Sequence, residues 1–243
     1  MAYGSLLIQQ GLTFDVNRGE VFIIMGGSGC GKSTLLKHMI GLSPPAAGEI
    51  LYAGESFQAM DPEGQFRLRR NWGITYQSGG LFSAMTLAEN TALPLQQYTK
   101  LGGAEIADII AYKLALVGLG GYQDYYPSEI SGGMQKRASL ARAIALDPDI
   151  LFFDEPSAGL DPISSQLLDE LIVEMKESLG ATVVIVTHEL ASIFAIATNS
   201  VFLDAETKTM IDYGDPTQLV HSSEHEKVRR FLARGKTPIE VAQ

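Results

Sequence analysis

Eight consecutive residues, Gly26-Gly27-Ser28-Gly29-Cys30-Gly31-Lys32-Ser33, keep the spacing G-x-x-x-x-G-K-S between an unbroken apolar run at 21–25 and a helix-like stretch at 34–40. Glycines so spaced let successive backbone amides turn inward on phosphate oxygens, and the helix that follows adds the partial positive charge of its first turn. Lys32 is placed to reach the outer phosphates of a nucleotide and Ser33 to hold magnesium, with Thr34 continuing the binding stretch. A plain turn between strand and helix would account for the glycines but not for the Lys-Ser pair at their end.

Asp154-Glu155 closes a second apolar run, 150–153. A carboxylate at that end of a buried strand emerges beside the phosphate loop, where Asp154 can hold magnesium through water. Glu155, one residue on, is a candidate to orient or deprotonate an attacking water. Ser131-Gly132-Gly133 opens a helix-like stretch expected to run to Leu146, with Met134, Ala138, Ala141 and Ala145 on one side and Asp147-Pro148 closing it. Serine is a natural cap, and the two glycines leave the first amides open to a close-approaching anion. An ordinary cap with a flexible entry explains the same residues, and Lys136 and Arg137 read equally well as a solvated face. A second anion-ready helix end is still informative in a chain that already has one, and its simplest use is to complete the site of another copy.

Three further residues stand where they could serve the same chemistry. Gln77 follows Ile74-Thr75-Tyr76, and His188 follows the run 182–187, so both sit at strand ends. Taken singly they read as a solvated loop residue and a structural histidine at least as readily as a magnesium or water contact and a γ-phosphate donor. Tyr3 offers a ring that could stack on adenine.

Composition narrows the setting. A chain of 243 residues fits one large domain, or one domain with a small subdomain, with a core that needs no disulfide. The formal charge of -10 and a pI near 4.8 argue against a nucleic-acid binder, which shows a basic face to phosphates. They do not argue against a bound nucleotide, because surface charge is screened beyond about 8 Å and a few amides, a lysine and a metal decide binding locally. The single cysteine, Cys30, suits a reducing compartment, and its place inside the loop makes a reactive-thiol role the lesser reading. Apolar runs such as 183–186 are far shorter than the roughly 20 residues that span a bilayer, and Met1-Ala2-Tyr3-Gly4 does not begin a signal peptide. The expectation is a soluble chain that is not exported.

The elements that must position these groups show as alternation. Runs at 21–25, 150–153 and 182–186 have the composition of strands buried on both faces of a parallel sheet. Between them, 163–179 carries Leu167, Leu168, Leu171, Ile172 and Met175 at helical spacing. This predicts an α/β fold with helices on both sides and the ligand at the carboxyl ends of the strands. The division expected is a split nucleotide-binding core, 1–80 and 147–216, around a helical subdomain, 81–146, with a helix at 106–117 between the turns at Gly102-Gly103 and 118–121. Runs at 201–204 and 209–213 form a closing pair of strands. A polar tail, 217–243, carries one short helix at 224–232 with Val228, Phe231 and Leu232 on its apolar edge, and Lys236 to Gln243 are expected to be mobile.

In this order the residues resemble the ATP-binding cassette (ABC) ATPase family over nearly the whole chain. Residues 26–33 match Walker A, Gln77 the Q-loop, and Ser131-Gly132-Gly133-Met134-Gln135 the signature. Asp154-Glu155 match Walker B with the catalytic glutamate, Ser157-Ala158-Gly159-Leu160-Asp161 the D-loop, and His188 the switch histidine. The resemblance implies a P-loop NTPase (RecA-like) core, a mainly parallel sheet with an inserted helical subdomain, using ATP and Mg2+. It implies a head-to-tail dimer in which Ser131, Gly132 and Gly133 of one copy close over ATP held by the other's Walker A. It also gives Gln77 (as metal contact), His188, Tyr3 and Asp161 functional roles. Residues 77–82, Gln-Ser-Gly-Gly-Leu-Phe, the Ser-Gly-Gly-Met signature and Asp161-Pro162-Ile163 are similar to the ATPases of bacterial Mce-associated, Mla-type lipid transporters. Met134 stands where the more widespread signature has glutamine, and family members usually carry a further first strand ahead of Tyr3-Gly4.

The function these features imply is ATP hydrolysis by a peripheral subunit on the cytoplasmic face of the inner membrane. The partners implied are a second copy, separate transmembrane permease subunits reached through 77–95, and an Mce-domain lipid-binding protein; the cargo is phospholipid or another lipid. The nearest rival is a polar amino-acid importer. A DNA-maintenance ATPase would need long heptad insertions and basic surface, and a small-molecule kinase would leave Ser131 to Gln135 and His188 without a task.

Overall fold

The computed structural model describes residues 1–4 and 6–234. The chain opens with β1 (Ala2–Tyr3), β2 (Leu6–Leu7) and β3 (Val21–Gly26), then α1 (Lys32–Met39), β4 (Leu51–Tyr52), β5 (Glu55–Ser56), α2 (Pro62–Arg69) and β6 (Trp72–Thr75). Three helices follow, α3 (Leu87–Tyr98), α4 (Gly103–Leu116) and α5 (Gly132–Ala143), and lead to β7 (Ile150–Asp154). The remainder is α6 (Pro162–Leu179), β8 (Thr182–Val186), α7 (Leu190–Ile196), β9 (Asn199–Asp204), β10 (Thr209–Gly214), α8 (Pro216–Ser222) and α9 (Glu226–Ala233).

The main sheet has the order β10-β9-β3-β8-β7-β6, with β1-β2 and β4-β5 as separate small antiparallel pairs. Strands β9, β3, β8, β7 and β6 run parallel, and β10 returns antiparallel to β9. Alternation along β3 divides the core in two. Val21, Ile23 and Met25 face a cluster with α3 through α9, whereas Phe22 and Ile24 face Leu35, Leu36 and Met39 of α1 together with Phe57 and Trp72. The unbroken apolar strands are therefore covered on both faces, as their composition predicts.

Helix ends follow their sequence signals. Asp161 caps α6 ahead of Pro162, and Gly180 ends it in the left-handed region at φ 65°. Thr86 and Glu89 form a reciprocal cap on α3. Because β3, β8, β7 and β6 are neighbours, their carboxyl ends put the phosphate loop, His188, Asp154 and Gln77 in a row along one edge.

Three expectations change. The helix opened by Ser131 ends at Ala143, not Leu146, because the chain leaves the helical region at Ile144 and then reverses through Asp147 at φ 49°. The stretch after 216 is not a polar tail with one helix: α8 buries Leu219 and Val220, and α9 buries Val228 and Leu232 in the main core. The tail helix also lies two residues later at its start, and Phe231 meets Phe202 edge-on at 5.2 Å. The expected mobility of 236–243 lies outside the described residues.

Candidate functional site

The phosphate loop hangs between the end of β3 and the start of α1. Gly26 turns out of the strand at φ 146°, and a Cβ there would lie 2.3 Å from the Leu203 carbonyl oxygen and 2.8 Å from Cys30 Sγ. Gly31 caps α1 at φ 97°, where a Cβ would meet Ile8 Cγ2 at 2.7 Å. These two positions require glycine for both conformation and space. Gly27, Ser28 and Gly29 are exposed, so the loop presents its backbone outward. Lys32 Nζ donates to the carbonyls of Gly26 at 3.0 Å and Gly27 at 3.1 Å, which holds the ammonium across the loop in advance of any phosphate. Cys30 is buried beneath it, and burial pushes its thiol pKa up, so the thiolate needed for reactivity is disfavoured.

One residue of this architecture carries no sequence signal. Gln9 is fully buried, and its Nε2 donates at 2.8 Å to the Cys30 carbonyl and at 2.8 Å to the Asp204 carbonyl. It pins the phosphate loop to the end of β9, and its own Oε1 is buried without a partner among the described residues. Asp204 is in turn buried. Burial alone would raise its pKa, yet Lys227 and Thr207 together hold it down to about 2.

Across the edge, Asp154 ends β7 with Oδ1 accepting from Ser33 Oγ at 2.9 Å. Glu155 continues the sheet by one bond, its N–H donating to the Val186 carbonyl at 2.8 Å, and then turns to φ 49°. That left-handed conformation is uncommon for a residue with a Cβ and must be held by its surroundings. The residue is 8% exposed, with Oε1 2.8 Å from His188 Nδ1 and Oε2 buried without a partner among the described residues. The structure thus brings Lys32, Ser33, Asp154, Glu155 and His188 together. Gln77 is exposed just beyond β6, and its backbone carbonyl accepts from Lys136 Nζ.

Ser131 caps α5, its Oγ accepting from the Met134 amide at 3.3 Å. Gly132 is exposed, and a Cβ there would find nothing within 4 Å, so the first turn is open to an approaching group. Asp161 is exposed at the start of α6; hydrogen bonds from Ser164 and Ile163 lower its carboxyl pKa, and within one copy it serves that helix end. Tyr3 lies in β1, and its side chain is outside the described residues. Lys136 and Arg137 are not a solvated face. Lys136 reaches toward Gln77 and Glu155, and Arg137 donates to the Val117 carbonyl at 3.1 Å.

Among the described residues no cluster of three or more His, Cys, Asp or Glu side chains could hold a metal by itself. Ser33 and Asp154 do fit magnesium, which is held by one or two protein oxygens together with the phosphates it accompanies. Glu155 Oε2 is a buried acceptor with no hydrogen-bond partner among the described residues, and so has capacity for a bound group.

The family model described as ABC transporter matches residues 9–158. The chain is 41% identical over 231 residues to the probable ribonucleotide transport ATP-binding protein mkl of Mycobacterium leprae, covering 95% of this chain and 66% of that protein. It is 39% identical over 229 residues to the intermembrane phospholipid transport system ATP-binding protein MlaF of Escherichia coli, covering 94% of this chain and 84% of that protein. The chain thus spans 66% of the length of the M. leprae relative and 64% of its M. tuberculosis counterpart. Among solved structures, a dimeric ATP-binding cassette in a post-hydrolysis state, bound to ADP and Pi, matches with a TM-score of 0.76 at 28% identity, covering 85% of this chain and 89% of that one.

Proposed function

This chain belongs to the ABC transporter family, and on that premise we propose that two copies pair head to tail, bind and hydrolyse ATP, and drive lipid through separate membrane subunits. One observation supports the pairing: two helix starts, the loop before α1 and the Ser131-capped turn of α5, are opened by glycines that leave room for a close-approaching anion. A single nucleotide on one copy uses only the first. The second fits the outer phosphates of a nucleotide held by the partner copy, with Asp161 brought to the same junction.

In each site Lys32 and the loop amides hold the phosphates, while Ser33, Asp154 and Gln77 would hold a magnesium ion. The ion, when bound, neutralises charge on the outer phosphates. Glu155 Oε2 accepts the proton of the attacking water, and His188, bonded to Oε1, fixes the carboxylate and faces the γ-phosphate. Tyr3 supports the adenine. Among the described residues no helix is long and apolar enough to cross a membrane. The permease is a separate chain, and this subunit docks on its cytoplasmic side. The contact is the exposed stretch after β6, where Tyr76 and Phe82 are 38% and 56% exposed. Lipid is favoured as cargo by residues 77–82 and by Met134, and the relative named for phospholipid transport matches over 94% of this chain. An Mce-domain protein completes the assembly.

The test is Glu155→Gln. It should leave ATP binding intact while phosphate release slows by about a hundredfold to ten-thousandfold. Turnover at the wild-type rate would remove Glu155 from its role. Purifying the intact membrane complex and identifying bound small molecules by mass spectrometry tests the cargo, and ribonucleotide in place of lipid would overturn that part.

A further inference from the structure

Helix α5 does more than present Ser131. Lys136, Ser139 and Arg142 lie along one side of the helix at three-residue spacing, and all three donate to backbone carbonyls of the turn after β6. Lys136 Nζ donates to Gln77, Ser139 Oγ to Gly79 at 2.5 Å, and Arg142 to Gly80 at 2.8 Å and Gly79 at 3.2 Å. Gly79 and Gly80 are both left-handed, at φ 76° and 63°, which turns these carbonyls toward the helix. Lys136 Nζ also lies 3.5 Å from the carbonyl oxygen of Glu155. That carbonyl and the amide bonded to Val186 flank the left-handed Cα of Glu155, and Ala158 N–H, at 3.2 Å, is the carbonyl's other donor.

We propose that Lys136 is a positioning residue that ties the Gln77 turn and the strained Glu155 backbone to helix α5. The role rests on the reading of Glu155 as the base. Any displacement of the Ser131 end of α5 is then carried to Gln77 and Glu155 together by this ammonium, the α5 side chain that reaches both. Removing it leaves Ala158 as the one donor to the Glu155 carbonyl among the described residues and lets the left-handed peptide relax. The turn keeps its Ser139 and Arg142 bonds, so the fold should survive.

Lys136→Met, in the full chain, should lower kcat about tenfold, the worth of one hydrogen bond from a charged donor, with KM for ATP little changed. Amide hydrogen exchange across 77–81 and 155–158 should become faster, and Lys136→Arg should restore much of both. If Lys136→Met fails to fold, Lys136→Gln, which stays polar but carries no charge and ends one atom short of the ammonium, is read in the same way. Unchanged exchange in those segments would overturn the inference whether or not the chain hydrolyses ATP. A wild-type kcat in a folded Lys136→Met, alongside a silenced Glu155→Gln, would overturn it while leaving the proposed reaction standing.

Discussion

Replacing Gln9 by methionine tests how the phosphate loop is held. Methionine has nearly the same length and no branch, so the change removes the amide and little packing. In the protein Gln9 Nε2 bonds the carbonyls of Cys30 and Asp204, both at 2.8 Å, in a fully buried setting. Each carbonyl deprived of its donor costs about 1–3 kcal/mol, and removal of the unpartnered Oε1 returns part of that, leaving a net loss of about 1–3 kcal/mol. Because one bond ends on the loop itself, the loss should appear twice: as a lower urea midpoint with unchanged slope, and as weaker ATP binding. Urea unfolding followed by circular dichroism, with ATP titration of the folded variant, measures both. A variant within about 0.5 kcal/mol of the wild type and with unaltered ATP affinity would show that the clamp holds nothing.

Other sites give sharper signs. Asp169 is buried where α6 meets α7, and burial, aided by Glu170 and Glu189 and opposed by Ser192, pushes its pKa up to about 6. The folded state therefore takes up this proton at higher pH than the unfolded chain, so the group costs stability above pH 6 and the cost disappears toward pH 4. Asp169→Asn should raise stability at pH 8 by about 1–3 kcal/mol and leave it unchanged near pH 4; a pH-independent difference would contradict this. Gly26→Ala places a Cβ 2.3 Å from a backbone oxygen of β9 that is fixed in the sheet, and should cost about 2–4 kcal/mol in thermal or urea unfolding, whereas unaltered stability would refute the close approach. Cys30 in the folded chain should resist alkylation by iodoacetamide until denaturant exposes it, and rapid labelling would place it outside the core.

The sheet core was readable because buried parallel strands announce themselves as unbroken apolar runs, as at 21–25 and 182–186. Polar punctuation marked the cap at Ser131. The two-residue strands β1, β2, β4 and β5 left no trace, since two residues carry no periodicity. The edge strand β6 was visible only as the apolar lead-in to Gln77. Helix α8 was missed because Pro216-Thr217-Gln218 reads as loop, and only contact with the core turns Leu219 and Val220 inward. For the site, residues in sequence motifs stood out as candidates because the chemistry they would perform fixes their spacing. Gln9 and Lys136 were not, because their roles arise from partners 195 and 59 residues away. A charged residue on a helix looks solvated until the segment that packs over it is known.

The most direct test of a shared site is the oligomeric state of Glu155→Gln with ATP, with and without Ser131→Arg in the same chain, measured by sedimentation alongside nucleotide binding. The Glu155→Gln chain should bind ATP and become dimeric. Adding Ser131→Arg, which fills the open turn of α5 with a bulky cation, should leave ATP bound to a monomer. A dimer that persists in the doubly substituted chain, or a wild-type monomer that hydrolyses ATP at a rate independent of protein concentration, would contradict a site built from two copies.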